Sequence, residues 1–203
     1  MRKIAVAAAS AALLIAGPAI AARKAAPAAE TPGPAKVAAL WTVDKRASRL
    51  GFVGVMNGEA FTGTFRRWDA HVQFDPKALA TSNVTTVIDT GSTSTGDQTR
   101  DEALPTADWF AVQTFPRAIF SANKFKALGG GRYQAIGTLA IRNVRRPVVL
   151  PFTLAIKGDH ATMHGVLTID RRTFGVGQGQ FATGDTVATN VKIEVSLSAT
   201  RAP

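Results

Sequence analysis

The chain has 203 residues, a formal charge of +10 and no cysteine. The length suits one domain with a sizeable core plus an N-terminal extra, and the missing cysteines exclude disulfides, thiolate nucleophiles and cysteine metal sites. Setting aside five cations and one acid ahead of Trp41 leaves +6, and these charges read as scattered pairs (Arg66-Arg67, Arg145-Arg146, Arg171-Arg172). A nucleic-acid binder would carry a dense basic stripe with interleaved aromatics. The charge supports no more than a mild attraction to an anionic membrane or an acidic ligand head.

Met1-Arg-Lys3, the apolar run Ile4 to Ala16 and the small residues up to Ala21 form a secretory signal pattern. The run falls short of the roughly 20 residues that span a bilayer. Residues 1–21 are therefore expected to be a signal peptide, which implies export to the periplasm. Residues 22–40 are rich in Ala and Pro without periodicity and read as a disordered tether. The folded domain is expected over 41–203.

Trp41 to Asp44 opens a first strand, and Ser48 to Met56 continues it, with Leu50, Phe52 and Met56 on one face. Asn57-Gly58 is a hairpin signal. From Glu59 to Phe74 the apolar phase slips between Phe65 and Trp68, which predicts a bulge or bend at Arg66-Arg67. Lys77 to Ala80 suits one helical turn, Val84 to Thr90 a β-branched strand, and Gly91 to Gly96 a polar loop.

The alternation stops between Arg100 and Phe120. Here Thr106 is placed to cap a helical turn through Asp108 to Phe110, and Phe115-Pro116 forces extended backbone. This helical insert, rich in Trp109, Phe110 and Phe115, is expected to plug or cover one end of a sheet or barrel. Strands follow over Arg117 to Leu128, Arg132 to Ile141, Val148 to Ile156, Ala161 to Ile169 and Thr186 to Ala199. Pro151 argues for an edge or a bulge. About eight antiparallel strands with one insert predict an all-β closed barrel, the alternative being a two-sheet sandwich. Gly54, Gly63, Gly137 and Gly165 suit the close approach that barrel walls need.

The search for catalytic residues is mostly negative. His160 and His164 would sit about 13 Å apart on a strand, too far for one metal ion. No Gly-x-Ser-x-Gly elbow occurs, Gly91 to Gly96 lacks the lysine of a phosphate loop, and Gly175-Val-Gly-Gln-Gly179 has no strand-helix-strand unit around it. Asp101 and Glu102 have no nucleophile beside them, and Asn83-Val-Thr85 is a sequon of a kind common by chance. The chain does not read as an enzyme.

An ordered set of motifs resembles the YceI-like family of exported lipid-binding proteins. It comprises Trp41-Thr-Val-Asp44, Gly63-Thr-Phe65, Phe74-Asp-Pro76, Arg100-Asp101, Asp108-Trp-Phe110, Phe115-Pro116 with Ala118 and Phe120, and Gly137-Thr-Leu139. Ile141-Arg142 with Val144, Pro147-Val148, and Arg171 with Phe174-Gly175 complete it. The resemblance spans Trp41 to the C-terminus. It implies a lipocalin-like eight-stranded barrel with an apolar interior suited to a polyisoprenoid or quinone, and no catalytic cofactor. Trp68, Trp109 and the Gly175 to Gly179 segment resemble the branch associated with b-type membrane cytochromes, which makes such a cytochrome a candidate partner. Ala47 and Ala103 stand where family members often carry histidine, which puts the head-group preference in doubt.

On this resemblance the wall residues are expected to be Leu50, Phe52, Phe61, Phe65, Phe110, Phe120, Phe152 and Phe174, each with ordinary barrel core as the alternative. Arg100 and Arg171 are placed at the mouth, to pair with a pyrophosphate or carbonyl head. The leading expectation is a periplasmic carrier of a long isoprenoid-type lipid. The competing one is an interaction module with a solid interior that docks on a membrane redox protein. Dimerisation is left open.

Overall fold

The computed structural model describes residues 37–203. Eleven strands and one short α-helix follow in order: β1 Leu40–Val43, β2 Arg49–Met56, β3 Glu59–Phe65, β4 Trp68–Gln73, β5 Asn83–Asp89, β6 Thr93–Ser94, α1 Gln98–Ala103, β7 Arg117–Gly129, β8 Arg132–Ile141, β9 Val144–Lys157, β10 His160–Asp170 and β11 Asn190–Arg201. The expected signal peptide, and the expected tether up to residue 36, lie outside the described residues.

The eleven strands act as eight staves of one closed barrel. β1 and β2 run along the same edge of β11, Trp41 opposite Arg201 and Leu50 opposite Val195. The chain bulges between them, and Ser198 holds both ends of the bulge. Its carbonyl accepts from Asp44 N (2.9 Å), and its amide donates to the Ser48 hydroxyl (2.9 Å). β3 and β4 form the second stave, bent at Arg66-Arg67 as the phase slip predicts. β5 and β6 form the third, pairing with β4 and β3 respectively. β7 to β11 complete an antiparallel meander that closes β11 onto β1 and β2. This is the closed eight-stranded barrel, not the sandwich. Alternation with period two sends one side of each stave inward, which is why a chain of Val, Ile, Phe and Thr with glycine turns folds this way.

Three details correct the sequence reading. The domain begins before Trp41: Ala38 is buried, its N–H donates to Thr81 Oγ1 (3.0 Å), and the Ala39 carbonyl accepts from Phe74 N (2.7 Å). The helix lies upstream of the expected turn. Asp97 caps it by accepting from Arg100 N (2.9 Å), and Pro105, which has no N–H to give, follows its end. Thr106 is no cap; its hydroxyl donates to the Ala103 carbonyl (2.7 Å). The Gly91 to Gly96 segment is not all loop, since it holds β6.

The ladder between β9 and β10 is incomplete. It runs from Lys157 opposite His160 to Phe152 opposite Gly165 and stops there. Beyond that pair, residues 144–151 of β9 bond only to β8, and residues 166–170 of β10 only to β11. Leu154 N donates towards the β8 side, so the odd-numbered nitrogens of β9 face β10. Pro147 and Pro151 thus place their hydrogen-free nitrogens where no partner strand runs. Pro151 sits at a local edge inside a closed barrel.

Candidate functional site

The barrel encloses a cavity of about 230 Å³ with almost wholly apolar walls. Its two ends are built differently. At the end holding the Gly129–Gly131 and Gly158-Asp159 hairpins, Phe74 forms the hub of an aromatic plug. Its ring lies 5.2 Å from Phe125, 5.6 Å from Tyr133 and 5.9 Å from Phe152, all edge-on, and Tyr133 stacks on Phe152.

At the opposite end the lining is a run of rings. Phe52 contacts Phe61 (6.3 Å) and Phe65 (5.6 Å), and Phe65 contacts Phe110 of the insert (6.0 Å). Two reciprocal cross-strand pairs make this packing feasible, Phe52 opposite Gly63 and Gly54 opposite Phe61. A β-carbon on Gly63 would lie 2.2 Å from Phe52 Cζ, and one on Gly54 2.7 Å from Phe61 Cζ. Each glycine is therefore the floor on which the facing ring lies.

The insert and the 171–189 segment cover this end, as the insert reading expects. Two arginines fasten the cover. Arg171, only 2% exposed, donates from Nε to Ala188 O (3.1 Å), from Nη1 to Val176 O and Gly177 O (2.8 and 2.9 Å), and from Nη2 to Phe181 O and Val187 O (2.5 and 2.7 Å). Burial pushes its pKa down, partly offset by Asp170, while all five N–H groups of the guanidinium are engaged. Arg142, at φ 51° in the left-handed region, reaches from the β8–β9 turn to Trp109 O (2.7 Å) and Gly175 O (2.6 Å). The Asp108 carbonyl accepts from both Gly177 N and Gln178 N (2.7 and 2.8 Å). The cover is thus one stapled body.

Seven of the eight expected wall residues (Leu50, Phe52, Phe61, Phe65, Phe110, Phe120 and Phe152) line the cavity. Phe174 does not; it is 1% exposed and packs in the core beneath the cover. Arg171 borders the cavity but is corrected from a mouth cation to a structural clamp, since its donors are consumed by backbone carbonyls. Arg100 stands outside the cavity wall, stacked 4.8 Å over Phe61 and held by Thr95 and Asp97. Its neighbour Asp101 anchors α1 to β6, accepting from Thr95 N (2.6 Å), Thr95 Oγ1 (2.7 Å) and Ser94 Oγ (3.1 Å). The Thr95 hydroxyl is the main cause that holds its carboxyl below the usual range, against the opposing effect of burial.

Sequence reasoning missed Trp109 as a polar group of the site. Its indole lines the cavity between Phe181 (5.0 Å) and the Arg171 guanidinium (5.4 Å), and its Nε1 is a buried donor with no acceptor among the described residues. A lone tryptophan in an aromatic insert gives no sequence signal of this. No group of three or more His, Asp or Glu placed to hold a metal occurs among the described residues. His164 instead shares a hydrogen bond with Ser196 (3.0 Å) on an exposed surface.

Comparison with known proteins agrees with this architecture. A model of the YceI-like domain matches residues 41–199. A UPF0312 protein of Pseudomonas savastanoi pv. phaseolicola is 26% identical over 158 residues, covering 75% of this chain and 79% of its own. The crystal structure of Burkholderia cenocepacia BcnA superposes with TM-score 0.75 at 34% identity, over 78% of this chain and all of BcnA. A polyisoprenoid binding domain from Saccharophagus degradans, at TM-score 0.65 and 15% identity, covers 81% of this chain and 99% of its own and shares the fold. The matched model covers the barrel from its first stave to its last, and the chain belongs to the YceI-like family.

Proposed function

We propose that the protein is an exported carrier or sequestering protein that holds a long isoprenoid-type lipid, with its tail in the apolar barrel interior and a neutral, acceptor-bearing head such as a quinone carbonyl against Trp109. The observation that carries this reading is the apolar cavity of about 230 Å³ in the barrel interior, under a stapled cover. Transfer of each CH₂ from water into such a cavity contributes about 0.8 kcal/mol before ordering costs. The volume lies just below the roughly 300–1,000 Å³ of ordinary ligand pockets, so a long tail requires ring rotation among Phe52, Phe61 and Phe65.

The neutral head follows from the donors that remain. Arg171 has none to spare, and Trp109 Nε1 is the buried donor without a partner. A diphosphate would need a free cation inside. Among relatives in fold, the Saccharophagus domain is described as polyisoprenoid binding, which agrees with the tail assignment. The basic start and short apolar run of residues 1–21 support export to the periplasm. An interaction module with a solid interior accounts less well for the cavity.

Native mass spectrometry of protein from its own envelope, followed by organic extraction, tests the assignment. A stoichiometric isoprenoid or quinone is expected. A clean apo mass with no uptake of added long-chain lipid would overturn it. Phe65→Trp and Phe120→Trp should reduce retention by filling the cavity, whereas in a solid barrel they would chiefly cost stability.

A further inference from the structure

The positive charge of the domain is concentrated in one stretch of the chain, which the fold lays out as one side of the barrel. From Arg117 to Lys157 there are eight Lys and Arg and no Asp or Glu, a net +8. Residues 41–116 carry seven cations against nine acids, and residues 158–203 carry four against four. The surplus of +6 on the domain therefore resides entirely in one stretch, partly cancelled elsewhere. That stretch is β7, β8 and β9, three neighbouring staves and their turns. The expectation of scattered pairs is corrected: topology places the cations on one side of the barrel.

Arg117, Lys124, Lys126, Arg132, Arg145 and Lys157 are all exposed; Arg142 is spent on the cover, and Arg146, in register with the inward Leu139, donates to the Thr173 carbonyl of the cover (3.2 Å). Every ion pair given by the described residues uses cations outside this stretch: Lys45, Arg67, Arg100, Arg172 and Arg201. At the centre of the face two aliphatic side chains stand in water, Ile136 (39% exposed) directly opposite Val149 (43%). The same row continues to Lys124, and the next row is Lys126, Gln134 and Pro151. The exposed outward positions of β7–β9 carry no aromatic side chain.

We propose that the outer face of β7–β9 docks on an anionic lipid bilayer. Long flexible cations, unneutralised and spread around a small aliphatic centre, match a diffuse field of phosphate head groups. A protein partner would more often be met by aromatic and arginine anchors in packed pockets. β9 bounds this face and also carries the strand edge left unpaired beyond Phe152. Docking would thus set the incomplete β9–β10 ladder beside the membrane surface. The proposal rests on charge and topology and stands whether or not the cavity holds a lipid.

Flotation of the purified protein with isoprenoid-free vesicles tests it. The probes are phosphatidylcholine alone and phosphatidylcholine with about one-quarter phosphatidylglycerol, at low salt and at about 0.5 M NaCl. Binding is expected only to the anionic vesicles and only at low salt. The triple variant Lys124→Glu, Lys126→Glu, Arg145→Glu should bind on the order of a hundredfold more weakly, at roughly fivefold per cation. A control triple, Arg46→Glu, Lys77→Glu, Lys192→Glu, changes the net charge by the same amount on exposed positions elsewhere and should stay within a few-fold of the parent. Equal loss in both triples would reduce the effect to net charge and overturn the face. Failure of the parent to bind anionic vesicles would overturn the bilayer as partner, as would face-dependent capture of an acidic protein without vesicle binding. Unfolding midpoints and extracted cargo, measured on each variant, separate this result from loss of fold and from failure of the carrier reading.

Discussion

Placing a methyl group on Gly63 tests the packing of the site most directly. The new β-carbon would lie 2.2 Å from Phe52 Cζ, 2.4 Å from Cε1 and 3.0 Å from Cε2, well inside van der Waals contact. β3 cannot retreat, because Gly63 is held in register opposite Phe52, with Thr62 opposite Val53 and Thr64 opposite Gly51 on either side. The ring must therefore turn, and the space open to it is the cavity. Overpacking of this kind costs about 1–3 kcal/mol, and for a chain of this size about 2 kcal/mol lowers Tm by about 4–8 °C. Gly63→Ala should show that fall together with weaker lipid uptake, since the displaced ring occupies the binding space. Phe52→Leu removes the clashing atoms, so adding it to Gly63→Ala should recover at least about 1 kcal/mol relative to additivity. Thermal and urea unfolding of the two single variants and the double give this coupling. A Gly63→Ala protein with parental Tm, or a strictly additive double, would refute the account of Gly63 as the floor of the Phe52 ring.

Arg171→Lys keeps the charge but offers at most three donors to five carbonyls. It should cost about 2–4 kcal/mol and raise amide exchange selectively over Arg171 to Thr189, which hydrogen-exchange mass spectrometry reads. Trp109→Phe removes a buried donor that lacks a partner. It should leave the empty protein as stable or up to about 1 kcal/mol more stable, yet weaken carbonyl-headed isoprenoids about tenfold relative to hydrocarbon analogues in competition binding. Asp101 has a depressed folded pKa, so its contribution is present above the unfolded carboxylate value of about 3.9 and is lost as pH falls through the folded value. The stability difference between parent and Asp101→Asn should accordingly be full at neutral pH and shrink below about pH 4 in urea titrations.

Much of the barrel was legible because strand burial has period two, and glycine or Asn-Gly signals mark the turns. The slip from Phe65 to Trp68 even located the bend at Arg66-Arg67. The insert was misplaced by several residues because α1 is short and polar, so no apolar periodicity announces it and the Asp97 cap looks like any loop aspartate. From the sequence Arg171 reads as a mouth cation, since nothing local distinguishes an arginine that five backbone carbonyls surround. The acid-free run from Arg117 to Lys157 is written in the sequence, but its assembly into one face is not. Lys124, Ile136 and Val149 become one row only through pairings of β7 with β8 and of β8 with β9.

Closure of β11 onto β1 also governs when the barrel can form. Trp41 pairs with Arg201, so the first stave, which meets β3 and β4 on one edge, finds the neighbour for its other edge only in β11. β10 likewise needs β11 along its whole length. A growing chain can zip its central hairpins early, but the inward faces of its first and last strands stay open to water until β11 has been made. Long-range pairing of this kind makes folding slow and leaves apolar strands exposed meanwhile. The chain must be kept unaggregated until the twelve residues of β11 are in hand.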